Sequence, residues 1–240
     1  MADKAKSKTD GRLFAIGDIH GCPDELAAIL KSIAPAAGDT VVFVGDYVDR
    51  GPSARDVIEL ALDLERVQKA ECVFLKGNHE DMMMSFLGMP GNYGESFLFN
   101  GGIATLDSYG VHEEDLEDAH ERLPALHLDF MNRLATSYLR PPYLFVHAGI
   151  MPTRQLEEQQ TEDMLWIRQE FIFNPHKIDA TVVFGHTPMR GVMIDLPYKL
   201  GIDTGLVYGG KLTCVEFTEG VLYQVQRGHK VVKTRSIPLH

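Results

Sequence analysis

Six side chains of metal-ligating type stand just after short apolar runs in this sequence. The loops that follow those runs read Gly17-Asp18-Ile19-His20-Gly21, Gly45-Asp46-Tyr47-Val48-Asp49-Arg50-Gly51, Gly77-Asn78-His79-Glu80, His147-Ala148-Gly149 and Gly185-His186-Thr187-Pro188. Each loop alone has a turn explanation; a Gly-Asn pair, for instance, is a common turn former. Their shared position is what gives them meaning, because ligands of open α/β sheets bind outside the carboxyl ends of the strands. Asp18, His20, Asp46, Asn78, His147 and His186 would meet at one rim. Carboxylate, imidazole and amide oxygen without thiolate suit two adjacent divalent ions with open coordination positions, rather than a closed structural zinc. His79 stands beside one of these ligands and titrates near neutral pH, so it can give or take a proton.

The elements that carry these loops follow from apolar spacing. Leu13 to Ile16, Thr40 to Val44 and Cys72 to Leu75 are short runs of buried-strand type. Between them, Leu26, Ile29, Leu30 and Ile33 follow Pro23 at helical spacing, and Val57, Ile58, Ala61 and Leu64 follow the N-cap residue Ser53. The first third therefore reads β-α-β-α-β, a parallel sheet with right-handed crossovers. From Glu80 to about Leu139 the pattern predicts a largely helical insertion beside the sheet, a wall of the substrate cleft. It holds a methionine cluster read as core filling (Met82, Met83, Met84) and a charged stretch from His112 to Leu123. Tyr143 to Val146 and Thr181 to Phe184 return to strand type. Lys211 to Phe217 and Val221 to Gln226 flank Thr218-Glu219-Gly220 as a hairpin. Residues 13–240 read as one domain behind a polar lead-in, residues 1–12, expected to be disordered. His112, His120, His127, His176, His229 and His240 fall in no motif and read as surface or helix residues. Tyr47, Glu80 and Tyr208 read as loop support, and Trp166 as packing.

Composition bounds the rest. With 240 residues, 45% of them hydrophobic, the chain can build a sizeable core. No run reaches the roughly eighteen apolar residues of a membrane helix, so no membrane partner is expected. Three widely spaced cysteines, Cys22, Cys72 and Cys214, point to free thiols in a reducing cytoplasm. A net charge of −11 argues against a nucleic-acid partner, but not against a phosphorylated substrate once metal ions invert the local field. Oligomeric state is not legible.

The loop motifs resemble the phosphoprotein phosphatase family of calcineurin-like metallophosphoesterases, and within it the bacterial and bacteriophage serine/threonine protein phosphatases. The likeness runs from about Leu13 to Phe217, strongest at Gly45 to Gly51 and loose between Glu80 and Leu139. It implies an α/β fold, a two-sheet sandwich flanked by helices, with a dinuclear centre at the strand ends. Position by position, it implies Asp18 and His20 on one ion, Asp46 bridging, and Asn78, His147 and His186 on the other. Manganese, iron and zinc all suit this set. The likeness implies hydrolysis of phosphate monoesters by direct attack of a metal-bridging hydroxide. His79 would protonate the leaving alkoxide with Asp49 orienting it, and Arg50 would grip a phosphate oxygen. Arg168, in Leu165-Trp166-Ile167-Arg168, matches the family's Trp-x-Arg element as a second phosphate-binding arginine. The expected partner is a phosphorylated protein or peptide. The alternative is a symmetrical dinucleoside tetraphosphatase, which shares Gly-Asp-Ile-His-Gly but typically has alanine where Asp49 stands and aspartate where Glu80 stands. A non-catalytic module would be expected to lack a ligand or the acid, and this sequence keeps all of them.

Overall fold

Alternation along the first strand sorts the layers. In β1 (Leu13–Ile16), Phe14 and Ile16 pack against helices while Leu13 and Ala15 pack against a second sheet, and all four are buried. The computed structural model describes residues 11–67 and 70–239. Residues 1–10 of the expected lead-in, and His240, lie outside the described residues. Arg12 does not belong to a disordered segment: its Nε and Nη2 donate to the Asp39 carboxylate, and its Nη1 and Nη2 to the Ile33 and Ala34 carbonyls.

After β1 come α1 (Pro23–Ile33), β2 (Thr40–Phe43), α2 (Ala54–Val67) and β3 (Glu71–Phe74). The three strands are parallel with Ile16, Phe43 and Phe74 level, so their exits leave from one edge. Pro23 opens α1 as expected, and the Ser53 hydroxyl accepts from the Asp56 amide as the α2 cap. The next segment contains α3 (Asn78–Phe86), α4 (Gly102–Ser108), α5 (Ala119–Arg122) and α6 (Ala125–Asn132), with short 3-10 turns between them. Met82, Met83 and Met84 fill the core beneath, as read from sequence. The helical stretch stops earlier than expected. Ser137–Arg140 is strand β4, antiparallel to β5 (Tyr143–Val146), with Tyr138 inward and Leu139 exposed. A four-residue edge strand shows too little alternation to separate it from the helical pattern before it.

The remaining elements are α7 (Thr161–Trp166), α8 (Gln169–Phe173), β6 (Thr181–Phe184), β7 (Met193–Asp195), β8 (Lys199–Gly201), β9 (Lys211–Glu216), β10 (Val221–Gln226) and β11 (Val232–Ser236). One sheet has the order β11-β10-β9-β1-β2-β3 and the other β4-β5-β6-β8-β7. The expected hairpin β9-β10 forms, with Val221 opposite Glu216, and β11 extends it. Leu13, Val42, Phe145, Val183, Leu200 and Val215 form the layer between the sheets. Helices cover both outer faces, so the two-sheet sandwich implied by the motif likeness is the observed architecture. Burying each such large apolar side chain contributes about 1.5–3 kcal/mol. Of the histidines read as surface or helix residues, His127 lies in helix α6 and His176 outside any helix, and both are buried with a partner. His127 lies between Glu59 and the Tyr109 hydroxyl, and His176 Nε2 meets the Tyr198 carbonyl.

Candidate metal centre

The exits of β1, β2, β3, β5 and β6 converge, and the parallel register of β5, β6 and β8 adds a sixth. Asp46 lies at the middle. Its Oδ2 is 3.4 Å from His20 Nε2 and its Oδ1 is 3.4 Å from His147 Nε2, so the two oxygens face different histidines. Two buried groups could each hold a metal ion, one of His20, Asp46 and His79 and one of Asp46, His147 and His186. Asp46 belongs to both. Burial pushes its carboxyl up, but the surrounding histidines, His147 first, hold it far below the usual carboxylate range.

The histidines are pre-set by backbone acceptors. His20 Nδ1 donates to the Val48 carbonyl at 2.9 Å and His147 Nδ1 to the Val44 carbonyl at 2.8 Å, which fixes the tautomer and leaves each Nε2 as a lone-pair donor. The His147 lone pair then faces Asn78 Oδ1 at 3.0 Å, and His186 Nδ1 lies 2.9 Å from the same oxygen. Two acceptors this close, with no proton between them, fit a bound cation. Burial favours neutral imidazoles here, pulling His20 to about 3 and His186 to about 2. Asp18 is buried, accepts from the His186 amide through Oδ2, and its Oδ1 has no partner. It joins neither group, though burial and then the Asp203 and Asp46 carboxylates push it well up. An orphaned carboxylate oxygen among like charges is again a place a cation satisfies. The close approach depends on Gly185, where a Cβ would lie 1.9 Å from Asp18 Oδ1.

Asn78 and His79 do not sit in a loop, as read from sequence, but open α3, with Gly77 before it. Glu80, read only as support, reaches back from that helix. Its two oxygens accept from the amides of Asp46, Tyr47, Val48 and Gly77 at 2.8–3.2 Å. Burial and Asp46 push Glu80 up to about 8, while the amide bonds pull it back. The carboxylate thereby joins the β2 exit to the β3 exit. Backbone strain concentrates in the same loops: His20, Asp46, Asp49, Arg50 and His186 all have φ between 45° and 70°. Such conformations cost about 1–3 kcal/mol each and persist only where surrounding contacts over-determine them.

His79 Nδ1 lies 2.6 Å from Asp49 Oδ2, and both side chains are buried. Burial disfavours charge on each, drawing His79 down to about 4 and lifting Asp49 well up. An imidazole nitrogen and a carboxylate oxygen this close hold one proton between them, and Nε2 is the nitrogen left for a substrate. Asp49 is held by Thr105, which the sequence did not single out. The Thr105 hydroxyl donates to Asp49 Oδ1 at 2.7 Å and accepts from the Asp49 amide at 2.8 Å. A lone threonine inside a helical run carries no sequence signal.

Arg50 Nη1 donates to His20 Nε2 at 3.0 Å, Nε to the Asn100 carbonyl at 3.3 Å, and the Tyr208 ring lies 5.5 Å from the guanidinium. Arg168 is exposed, and its Nη1 donates to the His186 carbonyl at 3.1 Å. It reaches this rim rather than pairing with Glu170. Asp203, after β8, was missed. It is buried, accepts from the Gly205 amide at 2.9 Å, and burial lifts it to about 6. Its strand has three residues ending in a glycine, too short to be read as a strand from its pattern.

A two-sheet sandwich with this ring of carboxylates, histidines and an asparagine at its strand ends defines a metal-dependent phosphoesterase architecture. The chain belongs to the calcineurin-like phosphoesterases, whose family model matches residues 11–231. It is 26% identical to the asymmetrical Bis(5'-nucleosyl)-tetraphosphatase PrpE of Halalkalibacterium halodurans, over 85% of this chain and 89% of that protein. It is 29% identical to Serine/threonine-protein phosphatase 1 of Salmonella typhimurium, over 88% of this chain and 94% of the relative. Among solved structures, a putative diadenosine tetraphosphatase superposes with a TM-score of 0.68 at 25% identity, covering 92% of this chain and 95% of the other. Among the described residues, no helix is long and apolar enough to cross a membrane.

Proposed function

We propose that this protein hydrolyses phosphate monoesters of the phosphoserine and phosphothreonine type, with Asp18, His20, Asp46, Asn78, His147 and His186 holding two divalent ions. Ions in that donor set supply Lewis acidity toward phosphoryl oxygens and lower the pKa of water, which the very slow uncatalysed hydrolysis requires. The residues of the chain do the rest. Arg168, braced on the His186 carbonyl, and Arg50, braced on Asn100 and Tyr208, orient the phosphoryl group through their planar forks. Asp49 fixes the His79 ring through Nδ1, and Thr105 fixes Asp49. Negative charge growing on the leaving oxygen takes the Nε2 proton of His79 while the proton shared with Asp49 passes to Nδ1, which leaves a neutral ring hydrogen-bonded to an ionised Asp49.

The observation that carries this reading is the buried 2.6 Å bond between His79 and Asp49. A serine or threonine alkoxide cannot leave without a proton, whereas a nucleotide leaves as a stabilised anion and needs the acid less. A second reading, hydrolysis of dinucleoside tetraphosphates, is supported by the likeness to PrpE of Halalkalibacterium halodurans, an asymmetrical rather than a symmetrical tetraphosphatase. Turnover of a phosphoserine peptide, a phosphotyrosine peptide and diadenosine tetraphosphate by one manganese-loaded preparation tests both. The first reading expects the phosphoserine peptide to have the highest kcat/KM. Turnover of the dinucleotide alone would overturn it in favour of the second.

A further inference from the structure

Beside the candidate centre lies a cleft of about 290 Å³ lined by Tyr93, Ser96, Asn100, Glu162 and Trp166. Both of its walls are attached to groups already described. The Trp166 ring packs 6.3 Å from the His186 ring, and Trp166 stands two residues before Arg168. On the opposite side, the Asn100 carbonyl accepts from Arg50 Nε. The lining is thus tied to both arginines proposed to orient the phosphoryl group, through Asn100 to Arg50 and through the chain from Trp166 to Arg168, within reach of a group attached to that phosphate.

The chemistry of the lining is that of a flat ring with N–H donors. Tyr93 and Trp166 meet edge to face at 5.2 Å and 78°, so a planar guest can stack on one ring and meet the edge of the other. Tyr93 is 41% exposed and held in a left-handed conformation at φ 60°. Its hydroxyl donates to Glu162 Oε1 and leaves the other carboxylate oxygen as an acceptor. Asn100 Nδ2 donates to the Ser96 carbonyl, which leaves the amide oxygen of this lining residue as a second acceptor. No cationic side chain lines the cleft, so it does not hold a phosphate. The flanking Arg50 and Arg168 would repel a lysine or arginine side chain of a peptide.

We infer that this cleft is a nucleobase subsite, in which the base of a nucleotide substrate or product stacks against Tyr93 and Trp166 and presents its amino groups to Glu162 and Asn100. The inference rests on the second reading above, that nucleotides are substrates.

Calorimetric titration of the manganese-loaded enzyme with AMP and with ribose 5-phosphate isolates the base. AMP should bind about tenfold more tightly than ribose 5-phosphate, the size expected for one stacked base. Trp166, the single tryptophan of the chain, should change its fluorescence with AMP and not with ribose 5-phosphate. Tyr93→Ala should bring AMP down to the affinity of ribose 5-phosphate while leaving the latter unchanged, which also reports that the variant is folded. Equal affinities in the wild-type protein, or an unaltered AMP affinity in the variant, would overturn the assignment. So would a Tyr93→Ala effect confined to a lysine-flanked phosphoserine peptide, which would make the cleft a peptide site. Failure to hydrolyse diadenosine tetraphosphate, with AMP still bound through Tyr93, would sink the second reading alone and leave the subsite standing as a product or inhibitor site.

Discussion

Asn78 and His79 are adjacent in sequence but turn to different partners, Asn78 to two histidines and His79 to a buried carboxylate. That divergence makes one a candidate ligand and the other a candidate acid. His79→Asn is expected to lower kcat by about 10²–10⁴ on a phosphoserine peptide with KM little changed. The loss should shrink on p-nitrophenyl phosphate, whose leaving group departs without help. Steady-state kinetics on the two substrates provide the check, and equal losses on both would assign His79 to the metal instead. The group of His20, Asp46 and His79 makes that alternative geometrically concrete. The Asp49 bond occupies Nδ1 and leaves Nε2 open to either role, so the comparison of the two substrates decides between them.

At the scale of elements, the loops were legible because each apolar run is short and followed within a few residues by glycine, and β1, β2, β5 and β6 are buried throughout while β3 is partly buried. The β-α-β-α-β start, β5, β6 and the β9-β10 hairpin all follow from that pattern. What was not legible depends on contacts distant in sequence. β8 has three residues, β4 has an exposed leucine, and Thr105 acquires its importance only through Asp49, which lies in another segment. Arg12 is a further case: its partner Asp39 lies at the turn before β2. Burial pushes the Asp39 carboxyl up, but the Arg12 side chain and the Ala36 and Arg12 amides outweigh this and hold it below its ordinary value. A depressed folded-state pKa gives stability that is complete above the unfolded value of about 3.9 and fades as pH falls through the folded one. Asp39→Asn should therefore lower Tm at pH 7, and the gap to wild type should close as melts are repeated below pH 4. A gap independent of pH would mean that the Arg12 contact contributes nothing through charge.

For the whole molecule, a chain of net charge −11 gathers Asp18, Asp46 and Asp203 at one rim, yet its proposed substrates are anions. Arg50 and Arg168 offset only part of that charge, and bound divalent ions would reverse its sign. Ions that bound the native state and not the unfolded chain would offset the cost of these buried like charges, linking metal to stability by mass action. The most direct test measures metal content by mass spectrometry, with aryl phosphate turnover and Tm followed on the same samples, as a chelated preparation is titrated with manganese. A dinuclear centre predicts two ions per chain at full occupancy, turnover that is absent after chelation and restored with the ions, and a Tm that rises with them. Full turnover from a preparation without metal would contradict it.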